Sequence, residues 1–247
     1  MPWHCKATGG YTTSVPVYNY PDTDGMDNCL QIYGILNQLG WTINAICGLL
    51  TCAAFESGYN PWRWESNHIL SEAGADADNY PGSYGYGLLQ WTPASYNNAA
   101  YIAAHSGQHP NKYIANPYAT NKAGYGPNFS DKPGSNFDGY AQMKYLDDYG
   151  YVGQYFRNGS YPAYADIAPT YAQYKASTAA ASDLCETWVV NFERPANPTA
   201  NRTYRQNLAQ ALYNYLSLVP PPTPDEPSTF PVWLLFKMRE VNYGNWY

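Results

Sequence analysis

In residues 53–65, AAFESGYNPWRWE, one carboxylate, Glu56, stands where an apolar run ends. Ser57, Gly58, Asn60-Pro61 and the tryptophans Trp62 and Trp64 follow at once. Charged residues make up only 13% of the chain, so a charge at the edge of an apolar segment calls for a reason. A carboxyl at the end of an apolar helix, walled by aromatic rings, is poorly solvated. Burial of this kind penalises the charged form. A carboxyl that keeps its proton near neutral pH can act as a general acid. The plainer alternative is a glutamate that caps a helix or pairs with a cation. Farther on, YGYGLLQWTP brings Gln90 and Trp91 into consideration beside Glu56.

The elements that must position these groups read as helices. From Met26, Cys29, Ile32, Tyr33, Leu36 and Leu39 recur at helical spacing, and Gly40 stops the run. Thr42 is placed to cap a second helix with an apolar stripe of Ile43, Ile46, Cys47, Leu50 and Ala54. Gly58 and Asn60-Pro61 end it just after Glu56. Residues 66–87 read as loop, and LLQW before Thr92-Pro93 as a short turn or strand. Helix is expected again over 94–105 and 139–149, with a long Gly-, Pro- and Asn-rich excursion over 106–138. Ser182 or Asp183 should cap a helix holding Leu184, Trp188, Val189 and Phe192. The last helix spans 202–218, with Tyr204, Leu208, Ala211, Leu212 and Tyr215 on one face. A stiff Pro-rich linker, VPPPTPDEPSTFP, then leads to a short apolar tail.

The chain has 247 residues and a net charge of -6, which argues against nucleic acid as the main ligand. Its 27 Tyr, 8 Trp and 7 Phe are unusual, and flat rings with a polar end suit sugar faces as well as core packing. Five cysteines without a CxxC pair signal neither a disulfide framework nor a structural zinc site. Cys47 and Cys52 read as small core residues; a Cys5–Cys29 pairing has no support beyond the count. His105 and His109 lie four apart, but Gly107 and Pro110 disfavour a helix there, so no metal or other cofactor is expected. The start, MPWHCKATGG, has no apolar secretion core, and no apolar run is long enough to span a bilayer. The expectation is synthesis in a bacterial cytoplasm without a Sec signal, and action on a cell wall after lysis or as part of a particle.

Taken together, ESGYNPWRWE and the downstream GYGLLQWTP resemble the phage tail lysozyme family. That family belongs to the lysozyme-like superfamily, with soluble lytic transglycosylases and goose-type lysozymes. The resemblance extends to NCLQIYGILNQLGWTINAICGLL, to YAQYKAST and to VVNFERPANPTANRTYRQNLAQALYNYL, and so spans roughly residues 26–217. It implies a mainly α, lysozyme-like α+β domain with a small β/turn element and a Pro-rich C-terminal extension. The expected organisation is an irregular arm over 1–25, the catalytic domain over 26–218, a linker over 219–231 and a tail over 232–247.

The resemblance implies that Glu56 donates a proton to a glycosidic oxygen and that Ser57 helps orient it or the substrate. Gln90 would contact a sugar or position groups in the cleft, with Gly87 letting the backbone come close. Tyr86, Trp91, Trp62 and Tyr171 are candidates for stacking on sugars. Hydrolysis usually needs a second carboxylate, and Asp76, Asp78, Glu65 and Glu193 are the candidates, Glu193 being equally suited to a structural ion pair. Relatives in the superfamily also work with one Glu, using a sugar hydroxyl to form an anhydro product. The leading expectation is a bacteriophage muramidase or lytic transglycosylase, cutting peptidoglycan between N-acetylmuramic acid and N-acetylglucosamine. Its expected partners are peptidoglycan and, through the C-terminal tail, phage tail proteins. A non-catalytic glycan-binding or structural virion protein on the same fold is the alternative. A Cys/His peptidase is a third reading, weakened by the apolar setting of the cysteines.

Overall fold

A computed structural model describes residues 3–4, 23–61, 87–90, 138–148, 156, 159 and 161–223. Its helices are α1 (Thr23–Gln38), α2 (Ile43–Ser57), α3 (Asp138–Asp148), α4 (Pro162–Ala165), α5 (Tyr171–Lys175), α6 (Ala181–Trp188) and α7 (Arg202–Leu216). A π-helical turn, Val189–Glu193, continues α6. The fold is mainly helical, with no strand among the described residues. No described helix is long and apolar enough to cross a membrane. Expectations for 62–86, 91–137 and 224–247 lie outside the described residues, including the helix over 94–105.

The second helix organises the rest. Thr42 caps it as the sequence suggests, its hydroxyl oxygen accepting from Ala45 N at 3.2 Å. The expected single stripe is wrong in one respect: Ala45 through Ala54 are all buried, so α2 is enclosed on every side. Helices α1, α5, α6 and α7 all pack against it. A helix apolar all round must be covered all round. Ile43, placed in the stripe by periodicity, is only partly buried. Full burial of Ile46, Leu49 and Leu50 contributes about 2 kcal/mol of transfer free energy each.

An aromatic group seals one flank. Trp188 lies 5.2 Å from Tyr174 and 5.6 Å from Phe156, centroid to centroid. Trp41 sits edge-on to Tyr171 and Tyr174. Its indole N–H donates to Asp147 of α3 at 2.9 Å, and Lys175 of α5 pairs with the same carboxylate at 2.7 Å. Most of the described rings are therefore core, the plainer of their two uses.

Four boundaries depart from the sequence reading. α1 starts at Thr23, inside the expected arm, and Trp3 of that arm is buried against α3 at Gly139. Neither Ser182 nor Asp183 caps α6; it starts at Ala181 after Ala180, with no side-chain cap. The π turn at 189–193 carries no signal in a period of 3.6. α7 ends at Leu216, and Leu218 is 79% exposed. Past it, Val219 packs on the core and its carbonyl accepts from the Tyr33 hydroxyl at 3.5 Å.

The buried face of α7 also differs from the expected one. Tyr204 is exposed, and Arg205 is buried in its place. Arg205 makes a two-pronged ion pair with the fully buried Glu186 of α6, at 2.7 and 2.8 Å. Its remaining N–H groups donate to the carbonyls of Ala200 and Pro198. Hydropathy ranks arginine as surface, but a satisfied bidentate partner makes its burial tolerable.

Removing one partner should be worse than removing both. Arg205→Met leaves the buried Glu186 carboxylate with a longer contact to Arg202, at 3.3 Å, and a weak one from the Cys185 thiol, at 3.8 Å. It is expected to lower the unfolding free energy in urea by about 3 kcal/mol. The double variant Glu186→Leu/Arg205→Met should recover most of that loss; a double variant no more stable than the single one would refute this account.

Candidate active site

The end of α2 is built by three devices. Gly58 takes the left-handed conformation (φ 61°), and its N–H and that of Tyr59 return to the carbonyls of Ala54 and Ala53. This closes the helix sharply and turns the chain at Tyr59, itself at φ 63°. Asn28 of α1, fully buried, donates to the Tyr59 carbonyl at 2.9 Å and to that of His4 at 2.7 Å. Gln142 of α3 donates to the Pro61 carbonyl at 2.7 Å and accepts from Leu88 N at 2.8 Å. One amide thus ties the exit of α2 to the turn at Gly87–Gln90.

That turn is the described part of GLLQW. Gly87 has φ 84°, and a Cβ there would collide with the Gln142 side-chain amide. Glycine is therefore required twice over, by conformation and by space. Leu88 and Leu89 are buried. Gln90 is half-buried at φ 47°, and its side-chain amide donates to the Gly87 carbonyl at 3.0 Å. A non-glycine residue in this region is uncommon and often marks a functional position.

Ser57 is fully buried. Its hydroxyl lies 3.0 Å from both the Ala53 and the Leu88 carbonyl oxygens, with one proton to share between them. It locks α2 to the turn. Glu56, the residue before it, is half-buried in the last turn of α2. The negative end of a helix dipole lies there, a place that favours cations over carboxylates.

A second carboxyl shares this environment. Glu193 ends the π turn, half-buried, and its Oε1 accepts from the Trp188 indole N–H at 2.9 Å. In an α-helix, residues five apart point to different faces. The wider i→i+5 turn, closed by Arg194 N on the Val189 carbonyl at 2.7 Å, brings them together. Burial, and then repulsion from Glu56, push the Glu193 carboxyl up to about 8, against the pull of the indole N–H. Cys52, one turn before Glu56, feels both carboxylates and is held firmly as a thiol by burial.

Of the four sequence candidates for a second carboxylate, Glu193 lies within electrostatic reach of Glu56; Asp76, Asp78 and Glu65 lie outside the described residues, as do Tyr86, Trp91 and Trp62. Tyr171 begins α5, its hydroxyl donating to the Leu146 carbonyl at 2.8 Å and its ring set edge-on to Trp41 and Phe156. Cys29, Cys47, Cys52 and Cys185 are buried thiols, and burial pushes the last three up. Cys5, His105 and His109 lie outside the described residues. Sequence reasoning missed Asn28 and Gln142. Their signal was slight: polar residues at helix positions flanked by Cys29 and by Met143.

A helical domain wrapped round one buried helix, with a carboxyl at that helix's end and a glycine turn locked against it, is consistent with a lysozyme-like fold. The chain matches the family model for phage tail lysozyme over residues 27–216, and it belongs to that family. It is also 29% identical over 168 residues to Morphogenesis protein 1 of Bacillus phage B103. The match covers 66% of this chain and 33% of that protein, so the chain spans about a third of that relative's length.

The raised Glu193 carboxyl links stability to pH. Its ordinary value is 4.5 and its folded value about 8, so the folded state holds an extra proton between those limits. The stabilisation is full below 4.5 and is lost as pH rises through about 8. The melting temperature should fall by roughly 5 °C between pH 5 and pH 8.5. In Glu193→Gln the slope should flatten; thermal unfolding followed by circular dichroism across that range checks it.

Proposed function

We propose that the protein is a phage-borne glycosidase that cleaves the β-1,4 bond between N-acetylmuramic acid and N-acetylglucosamine in bacterial peptidoglycan. Glu56 is the general acid. The observation that carries this reading is the half-buried Glu56 at the end of α2, sharing its electrostatic field with Glu193 and locked beside the Gly87–Gln90 turn. Two interacting carboxyls in a partly dry setting retain a proton to higher pH than either would alone. The proton that Glu56 carries passes to the bridging oxygen as the glycosidic bond breaks and positive charge develops on the sugar ring.

Ser57 and Gln142 act at one remove, by holding α2 against the turn. Gln90 is the turn residue nearest the chemistry in role, its conformation keeping the Gly87 carbonyl engaged. Trp62, Tyr86 and Trp91, neighbours of these elements in sequence, supply rings for sugar faces, and Tyr171 packs against the aromatic core. Asp76, Asp78 and Glu65 remain candidates to activate water. Cleavage through the sugar's own hydroxyl would need none of them.

A structural role in the particle is a second reading, favoured by the name of the phage B103 relative, Morphogenesis protein 1. The two readings are compatible if the enzyme travels on the tail, and they separate if the domain only binds glycan. The C-terminal tail, residues 232–247, is then the contact to other tail proteins.

Glu56→Gln removes the acid and keeps the size of the side chain. It should reduce clearing of purified cell walls by about a hundredfold or more, the usual size of a general-acid contribution. Undiminished clearing would end the assignment. Mass spectrometry of the released muropeptides then divides the chemistry: reducing ends for hydrolysis, anhydro ends for transglycosylation.

A further inference from the structure

The exit of α2 is fastened by two buried amides, Asn28 of α1 and Gln142 of α3. The dipeptide Trp3-His4 touches the helices of both. We propose that Trp3 and His4 are positioning residues for the reaction: they close a circuit of contacts around the exit of α2, and so hold the helix end that carries Glu56 in register with the Gly87–Gln90 turn. The proposal deepens the reading of Glu56 as general acid and rests on it. Residues 3 and 4 lie outside the stretch 27–216 that matches the family model, so the family match does not supply this role.

The circuit can be followed bond by bond. His4 and Asn28 pair at two points: His4 N–H donates to Asn28 Oδ1 at 2.9 Å, and Asn28 Nδ2 donates to the His4 carbonyl at 2.7 Å. The same Nδ2 also donates to the Tyr59 carbonyl at 2.9 Å, three residues past Glu56. Two residues on, the Pro61 carbonyl accepts from Gln142 Nε2 at 2.7 Å. Gln142 Oε1 accepts from Leu88 N at 2.8 Å, which brings in the turn. One turn earlier on α3, Gly139 lies against the Trp3 indole, where a Cβ would collide with the ring. Trp3 is bonded to His4, and the circuit closes.

Each member depends on the next. Asn28 is fully buried, and its amide has two N–H groups and one oxygen to satisfy. His4 takes one N–H and supplies the oxygen's donor; without it, both groups are buried and unmatched, which is costly. The Trp3 indole belongs to the hydrophobic core and fixes the dipeptide with apolar contact that hydrogen bonds alone would not give. The His4 ring nitrogens lie 3.1 Å from Asp27 and 3.5 Å from Asp24, so its side chain follows α1. α1 also packs on α3. Removal of the indole empties the space above Gly139, and α3 carries Gln142 with it when it settles.

The consequence is specific. A tryptophan that only stabilises the domain changes its melting temperature and leaves the turnover of folded molecules alone. A tryptophan in this circuit changes how well the α2 end is held. A proton donor displaced by about 1 Å can lose about a hundredfold in rate. The groups that bind the rest of the glycan are untouched, so the loss falls on kcat and spares KM.

The test is steady-state cleavage of soluble, uncross-linked peptidoglycan strands by the full chain, well below its melting temperature. Trp3→Ala should lower kcat by about tenfold or more with KM within about twofold, and Trp3→Phe should restore most of the loss. Trp3→Ala and Gln142→Ala break the same circuit, so the double variant should lose less than the product of the single losses. A folded Trp3→Ala with the parent's kcat, or with a loss confined to KM, overturns the proposal, as does a full product in the double variant. Should Trp3→Ala fail to fold, amide hydrogen exchange in the unaltered chain decides instead. The His4, Tyr59 and Leu88 amides should open as one unit, with protection factors within about tenfold of one another. A His4 amide that opens alone, with Leu88 still protected beyond that margin, overturns it. Exchange needs no catalysis. Full wall clearing by Glu56→Gln would defeat the reading of Glu56 while leaving the exchange result to judge the circuit, so the two failures are distinguishable.

Discussion

The burial of α2 is the constraint on which the other features depend. A helix apolar on every side has no face to give to water, so other elements must cover it completely. α1, α5, α6 and α7 do so, and their positions follow from what each can present. In the last turn the cover opens at Phe55 and Glu56, while Ser57 through Pro61 are buried again. At that opening the first charged side chain of α2, Glu56, appears, half-shielded because its own helix is deep. The same packing that stabilises the domain therefore creates the poorly solvated carboxyl.

The polar groups at this end work as fasteners. Ser57, Asn28 and Gln142 are all buried, and each bonds backbone groups that the chain could not pair by itself. A tight exit at Gly58 and a left-handed turn at Gly87 leave carbonyls and amides pointing inward. Amide side chains can serve both kinds at once, donating from nitrogen and accepting at oxygen. The result holds two sequence-distant segments in fixed register. Glu186 with Arg205 plays a parallel part between α6 and α7, deeper in the core.

The π turn at Val189–Glu193 has a local cost, because one extra residue sits in a turn and the regular ladder is interrupted. Asn191 offsets this by taking the spare bonding capacity: its amide donates to the Ala165 and Ala168 carbonyls, and its oxygen accepts from Gly159 N. In return the turn brings Glu193 over Trp188. Such widened turns recur at functional sites for this reason, since they re-aim a side chain without ending the helix.

The sequence by itself determined the mainly helical character, the cap at Thr42, the stop at Gly58, the placing of Glu56 at the end of an apolar segment and the family. Each of these is written in local pattern, where periodicity, capping groups and glycine act within a few residues. It could not tell a one-sided helix from a fully enclosed one, because α2 reads apolar either way. Nor could it say that Arg205 is inside and Tyr204 outside, or that Glu193 feels the charge of Glu56. Those outcomes depend on which groups meet across the fold, between elements far apart in the chain. Charge pairing, desolvation and the one-residue widening at 189–193 act only once the helices are packed, so tertiary structure alone decided them.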